Sequence, residues 1–316
     1  MFPSPIDVVV GASDMEAAAK FLILFGFERG PSAQLPAHAA NALYGVDDPV
    51  DELVMAVPGA PRGRVRLVST PNPARSYAPF DARPFAIDLF TADMDKSVEL
   101  AAGAGFHTSP ITDHNFGPLT IREVEITGPD RLIVTLLEPS AGRRPCVLDE
   151  DPDRLHSEVH AFVWSDTDLD KHIGYWTDRG LQSLMDVVME TPGLGALVGA
   201  PDEDVKLRLT VFADQPDARA IRVEYVEFIG KPSTPQPTLP LAAGLLAPAF
   251  EFDFGLSAYR KPDSSSRTAR LTLPVQPFPL SQCPLATRNE PSDNWTMPSE
   301  QSNSYRPRIR RSASAT

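Results

Sequence analysis

Three stretches of this chain repeat one order of apolar and polar positions. An apolar run at residues 6–10, 85–90 and 159–164 leads to Asp14, Asp93 and Asp168. Each Asp stands twelve residues before a glycine followed by an apolar residue: Gly26-Phe27, Gly105-Phe106 and Gly180-Leu181. The Asp-to-Asp intervals are 79 and 75 residues, and such self-similarity marks one supersecondary unit used repeatedly. The apolar runs have the length of ordinary strands. Each Asp falls where a helix N-cap belongs, with further acidic residues suited to the positive end of the helix dipole. Ala17, Ala18, Ala19, Phe21 and Leu22 supply helix formers and an apolar stripe in the first copy, as Val98, Leu100, Ala101 and Ala102 do in the second. The glycines predict left-handed C-terminal caps. Beyond them the pattern predicts more strands, clearest at 119–127 and 132–137 in copy two and at 206–212 and 221–228 in copy three. The unit is βαβββ.

A fourth copy starts and stops. After a linker bearing Pro232, Pro235, Pro237 and Pro240, residues 245–254 begin an apolar strand carrying Glu251 and Asp253, and the pattern then ends. From Tyr259 to Thr316 there are nine Lys/Arg against four Asp/Glu, eight prolines and no glycine, so this stretch is +5 and the chain before it −18. Dense Pro and Ser with little apolar content predicts a disordered basic tail. So abrupt a change near residue 254 also fits a disrupted reading frame. The domain expectation is a first pair of units at 1–142, a third unit at 143–230, a linker and incomplete fourth unit at 231–257, and the tail at 258–316.

Tandem βαβββ units with an Asp-capped helix, a Gly-apolar exit and a Pro-bearing linker resemble the vicinal oxygen chelate superfamily, which includes glyoxalases, bleomycin-resistance proteins and extradiol dioxygenases. The resemblance covers about residues 5–230. It implies an α+β fold in which units pair and their curled mixed sheets enclose a cavity. It also implies, in metal-using members, a divalent cation (Fe, Mn, Ni or Zn) held by first-strand and last-strand residues.

The first-strand slot, seven residues before the capping Asp, holds Asp7, Ala86 and Ala161; the last-strand slot falls near Arg66, Thr135 and Glu224. His160 with Glu224 is the best surviving metal pair. His160 lies one residue out of register, and a one-residue slip turns a side chain to the opposite face; an extra residue in Ser165-Asp166-Thr167 would absorb it. His156 is a further ligand in the same approach. The competing reading makes His160 a partly exposed strand histidine and Glu224 an outward-facing acid. Asp7 and Arg66 predict an ion pair that orients substrate or supports structure, or else two solvated charges. His114, in the loop before Leu119, is placed to serve as a general base or donor at the cavity mouth.

Net charge of −13 argues against nucleic acid, whose phosphates require a basic surface. No apolar stretch approaches a membrane span, and the N-terminus lacks a secretion signal. Cys146 and Cys283 form neither a disulfide framework nor a metal spacing, which fits a cytoplasmic protein. A small molecule is the expected partner, and an unpaired third unit would call for a second copy in a homodimer. Two functions follow from the resemblance. One is an enzyme acting on a small aromatic or dicarbonyl compound, as a ring-cleaving dioxygenase, lyase or isomerase. The alternative is a metal-free binding, resistance or accessory protein.

Overall fold

The computed structural model describes residues 4–116, 119–215, 219–234, 241–252 and 271–274. The first unit runs β1 (Asp7–Ala12), α1 (Met15–Ile23), β2 (Glu28–Leu35), α2 (Ala37–Tyr44), β3 (Val50–Ala56) and β4 (Arg64–Ser69). The second comprises β5 (Arg83–Thr91), α3 (Met94–Gly103), β6 (His107–Thr108), β7 (Thr112–Phe116), β8 (Leu119–Thr127) and β9 (Ile133–Pro139). After α4 (Val147–Glu150), the third has β10 (His156–Ser165), α5 (Leu169–Thr177), β11 (Gln182–Met189), α6 (Leu194–Leu197), β12 (Leu207–Ala213) and β13 (Arg222–Phe228). β14 (Gly244–Phe252) and β15 (Leu271–Pro274) follow.

The repeated Asp does in each copy what its position predicts. Asp14 Oδ1 accepts from the backbone N–H of Glu16 and Ala17 at 2.9 and 3.0 Å, Asp93 Oδ1 from Lys96 N–H at 3.0 Å, and Asp168 Oδ1 from Lys171 N–H at 3.1 Å. Gly26, Gly105 and Gly180 follow the helices at φ of +81°, +86° and +91°, which a side chain at Cβ would penalise.

Unit pairing departs from the sequence expectation. β1 is parallel to β4 and antiparallel to β14, giving a six-stranded sheet of order β15-β14-β1-β4-β3-β2. The second and third units share a nine-stranded sheet, joined where β5 runs antiparallel to β10 in the order β11-β12-β13-β10-β5-β9-β8-β6, with β7 on β8. The first two units, residues 1–142, therefore do not form one sheet. In both sheets the joint is the free edge of a unit's first strand, and such an edge pairs with whichever strand long-range packing brings to it. Because β5 covers β10 within the chain, the unpaired third unit that called for a second copy does not arise.

Of residues 258–316, Leu271–Pro274 are described and form β15 against β14, so a strand stands where the composition predicted none. The remainder of that expectation, and the frame change near residue 254, lie outside the described residues. No helix among the described residues is long and apolar enough to cross a membrane.

Candidate functional site

The nine-stranded sheet curls around a chamber of about 410 Å³. Its wall follows from period-two alternation, since every second residue of a strand faces one side. Glu123 and Glu125 on β8, Thr135 and Leu137 on β9, Met185, Val187 and Met189 on β11, Leu207 and Leu209 on β12, and Arg222, Glu224, Val226 and Phe228 on β13 all line it. Phe85, Asp88 and Phe90 of β5 and Leu194 and Leu197 of α6 complete a largely apolar enclosure.

Two polar poles stand in this enclosure. Four carboxyls, Asp88, Glu123, Glu125 and Glu224, form the acidic one. Asp88 is 3% exposed, lies directly opposite Thr135 in the parallel β5–β9 ladder and is hydrogen-bonded to it. Its Oδ1 has no hydrogen-bond partner. Burial, reinforced by Glu224 and Glu123, holds the Asp88 carboxyl well above the usual range. Burial and Glu123 push Glu224 up to about 8 against the opposing pull of Arg222. Glu125 is raised in the same way by burial and by Glu123, with Arg83 opposing.

The basic pole surrounds His160. Arg144 Nε donates to His160 Nδ1 at 2.6 Å, and the His160 ring lies 4.2 Å from that of Phe90. Burial, then Arg144 and Arg222, depress the imidazole well below its ordinary range, so it is neutral.

His160 reaches the chamber through a β-bulge. Opposite β5, Val159 faces Leu89 and Ala161 faces Asp88, so β10 carries one extra residue there. The bulge, rather than an extra residue at Ser165-Asp166-Thr167, resolves the register offset, and His160 and Glu224 line the same chamber. His114 lies on strand β7 rather than in a loop, is buried, and also lines the chamber. Its Nδ1 is 3.3 Å from Thr191 Oγ1, and its Nε2 is 2.9 Å from Glu123 Oε2 in a contact too poorly aligned to be a hydrogen bond.

The other expected site residues lie elsewhere. His156 is buried against Phe25, with Nε2 3.0 Å from Ser97 Oγ, and is absent from the chamber wall. Asp7 and Arg66 belong to the six-stranded sheet: Asp7 is buried and accepts from Arg64 at 2.5 Å and Arg66 at 2.9 Å. α2 covers that region, with Tyr44 donating to Glu52 at 2.7 Å and interacting with Arg66. Asp88, Glu125, Arg144 and Arg222 were not singled out from sequence. A lone acid inside the apolar run 85–90 was the available signal for Asp88.

The donor set does not fit a resident divalent metal. Of the four slots the resemblance implies for this pair of units, Ala86, Thr135, Ala161 and Glu224, one carries a carboxyl. Because His160 Nδ1 accepts from a guanidinium, the neutral ring carries its proton on Nε2, and neither nitrogen presents a free lone pair. A metal-binding imidazole has the reverse arrangement, donating from the nitrogen that does not bind. No cluster of three His, Cys, Asp or Glu suited to a metal occurs among the described residues.

No family sequence profile and no curated protein matches this chain by sequence. Its architecture is nonetheless similar to that of glyoxalase I from Zea mays, with a TM-score of 0.51 at 13% identity over 76% of this chain and 72% of that one. A point mutant of the same Zea mays enzyme aligns with a TM-score of 0.52 at 12% identity over the same shares. The chain has the glyoxalase-type fold. Identity this low establishes fold, while function is argued from the site.

Proposed function

We propose that this protein binds a small, mostly apolar or aromatic molecule in the chamber between its second and third units, without a resident metal. The observation that carries the reading is the chamber itself: about 410 Å³, apolar on most of its wall, with a few converging polar groups. Enclosures of this size and make-up suit small ligands. The Arg144–His160 hydrogen bond supports metal independence.

A second reading rests on Asp88 and Glu224. With its carboxyl pushed up to about 8, Glu224 is poised to exchange a proton near neutral pH, and Asp88 is a second acid facing the same space. That arrangement favours an isomerase or lyase working by proton transfer over ring cleavage, which would draw on metal ligands this donor set does not provide.

The test is thermal unfolding with a panel of aromatic and alicyclic compounds, and separately with Fe(II), Mn(II), Ni(II) and Zn(II). Some compounds should raise Tm in wild type and fail to do so in Leu209→Trp, which fills the chamber; the metals should leave Tm unchanged. Strong metal stabilisation lost in His160→Ala would overturn the metal-free reading. Loss of protons from a bound compound, followed as deuterium exchange and abolished by Glu224→Gln, would establish the enzymatic one.

A further inference from the structure

The acidic pole of the chamber wall holds a buried acceptor that nothing in the protein completes. His160 receives Arg144, and Arg143, also on the wall, is paired to Asp149 at 2.7 Å. At the acidic pole, Asp88 leaves Oδ1 without a partner although it is almost fully buried. An orphaned buried polar atom is costly unless something completes it. What ionised Asp88 lacks at Oδ1 is a hydrogen-bond donor. The largest charge effects on Asp88 come from Glu224, Glu123 and Glu125, on the two strands β13 and β8. A donor placed there sits in a field set by carboxyls.

Building on the small-molecule reading of the chamber, we infer that its ligand carries a protonated amine, which enters the acidic pole and donates to Asp88 and Glu224. The apolar body of the ligand then lies along Phe85, Phe90, Met185 and Leu209. A cation buried in an apolar enclosure needs a paired, hydrogen-bonding anion, and this pole supplies one for which the protein itself provides no counter-donor at Oδ1. A carboxylate-bearing ligand entering this pole would face carboxyls rather than a cation. For a divalent metal, no cluster of three His, Cys, Asp or Glu suited to hold it occurs among the described residues.

Proton linkage follows. With the chamber empty, Asp88 and Glu224 both favour the protonated form, so an incoming ammonium displaces a proton. The other titratable and charged groups on the wall are Glu123, Glu125, His114, His160, Arg143, Arg144 and Arg222. His160 stays neutral, and the arginines keep their charge in the working range.

The experiment compares 4-phenylbutylammonium, 4-phenylbutan-1-ol and 5-phenylpentanoate by isothermal titration calorimetry on the full chain. Measurements at pH 6 and 8 use buffers of different ionisation enthalpy. The ammonium should bind about tenfold or more tighter than the alcohol, as a charge-assisted buried hydrogen bond would give. The carboxylate should bind weakest. Wild-type protein should release a proton on binding the ammonium and not the alcohol, and the ammonium's advantage should grow from pH 6 to pH 8. Asp88→Asn should remove the preference for the ammonium over the alcohol, and Glu224→Gln should reduce it. Equal binding of ammonium and alcohol, no proton release, or a preference for the carboxylate would overturn the inference and leave the small-molecule reading standing. Competition by Mn(II) for the ammonium would overturn it in favour of a metal. Failure of all three probes, together with the wider compound panel, would overturn both.

Discussion

Arg144 donates from Nε to Nδ1 of His160 across 2.6 Å, with both side chains buried. This contact decides what His160 can be. Together with burial, the larger influence, it keeps the ring neutral; it places the proton on Nε2 and sets a cation beside the position where a metal would otherwise be held.

Arg144→Met should therefore raise the His160 pKa toward the ordinary imidazole range, because it removes the nearest cation while leaving burial largely unchanged. It should also cost about 1–3 kcal/mol by orphaning a buried acceptor. Proton NMR titration of the ring and urea unfolding measure the two effects. An unmoved His160 titration would show that burial alone sets it.

Glu224 links stability to pH with a definite sign. Its folded-state carboxyl lies near 8 against an ordinary 4.5, so the folded state binds more protons between these values. The favourable contribution is full below about pH 4.5 and is lost as pH rises through 8, by on the order of a few kcal/mol. Glu224→Gln, which mimics the protonated acid, should be more stable than wild type at pH 8 and closely matched at pH 5. Urea unfolding at the two pH values would contradict this if the difference between the proteins were the same at both.

His156 acts in the opposite direction. Burial, with a smaller contribution from Lys96, lowers its pKa to about 4. The unfolded chain takes up a proton below about pH 6.5 that the folded chain refuses, so stability is lost as pH falls toward 4. His156→Gln should shift the acid-unfolding midpoint to lower pH. In wild type, the His156 ring resonances should stay constant from pH 8 to 5.

Asp7 anchors Arg64 and Arg66 in the six-stranded sheet, and Arg66 is itself mostly buried. Asp7→Leu should destabilise the protein by about 3–5 kcal/mol, because it leaves a buried charge uncompensated. Ligand binding in the chamber should be retained in the folded fraction. A loss of binding at unchanged stability would instead assign this pair to the site.

Much of the local structure was legible because its causes are local. Asp14, Asp93 and Asp168 cap helices within three residues of themselves, and Gly26, Gly105 and Gly180 turn the chain at one backbone position each. The Asp7–Arg66 ion pair was one of two readings the sequence left open; in the parallel β1–β4 ladder Asp7 stands opposite Arg64 and reaches Arg66 two residues on. His160 and Glu224 were correctly placed on one unit's first and last strands, although the reason they share a face was not visible.

What the sequence by itself determined is the βαβββ unit and its repetition, since capping, strand alternation and glycine geometry act over a few residues. Tertiary structure alone decided that β5 joins β10 while β1 joins β14, because a free strand edge has no preference written into its own residues. It also decided the β10 bulge that turns His160 into the chamber, and the meeting of Asp88 with Glu224, which lie on different units. Only the folded sheet brings such distant residues close enough for one carboxyl to change another's protonation, and that proximity gives the chamber its chemistry.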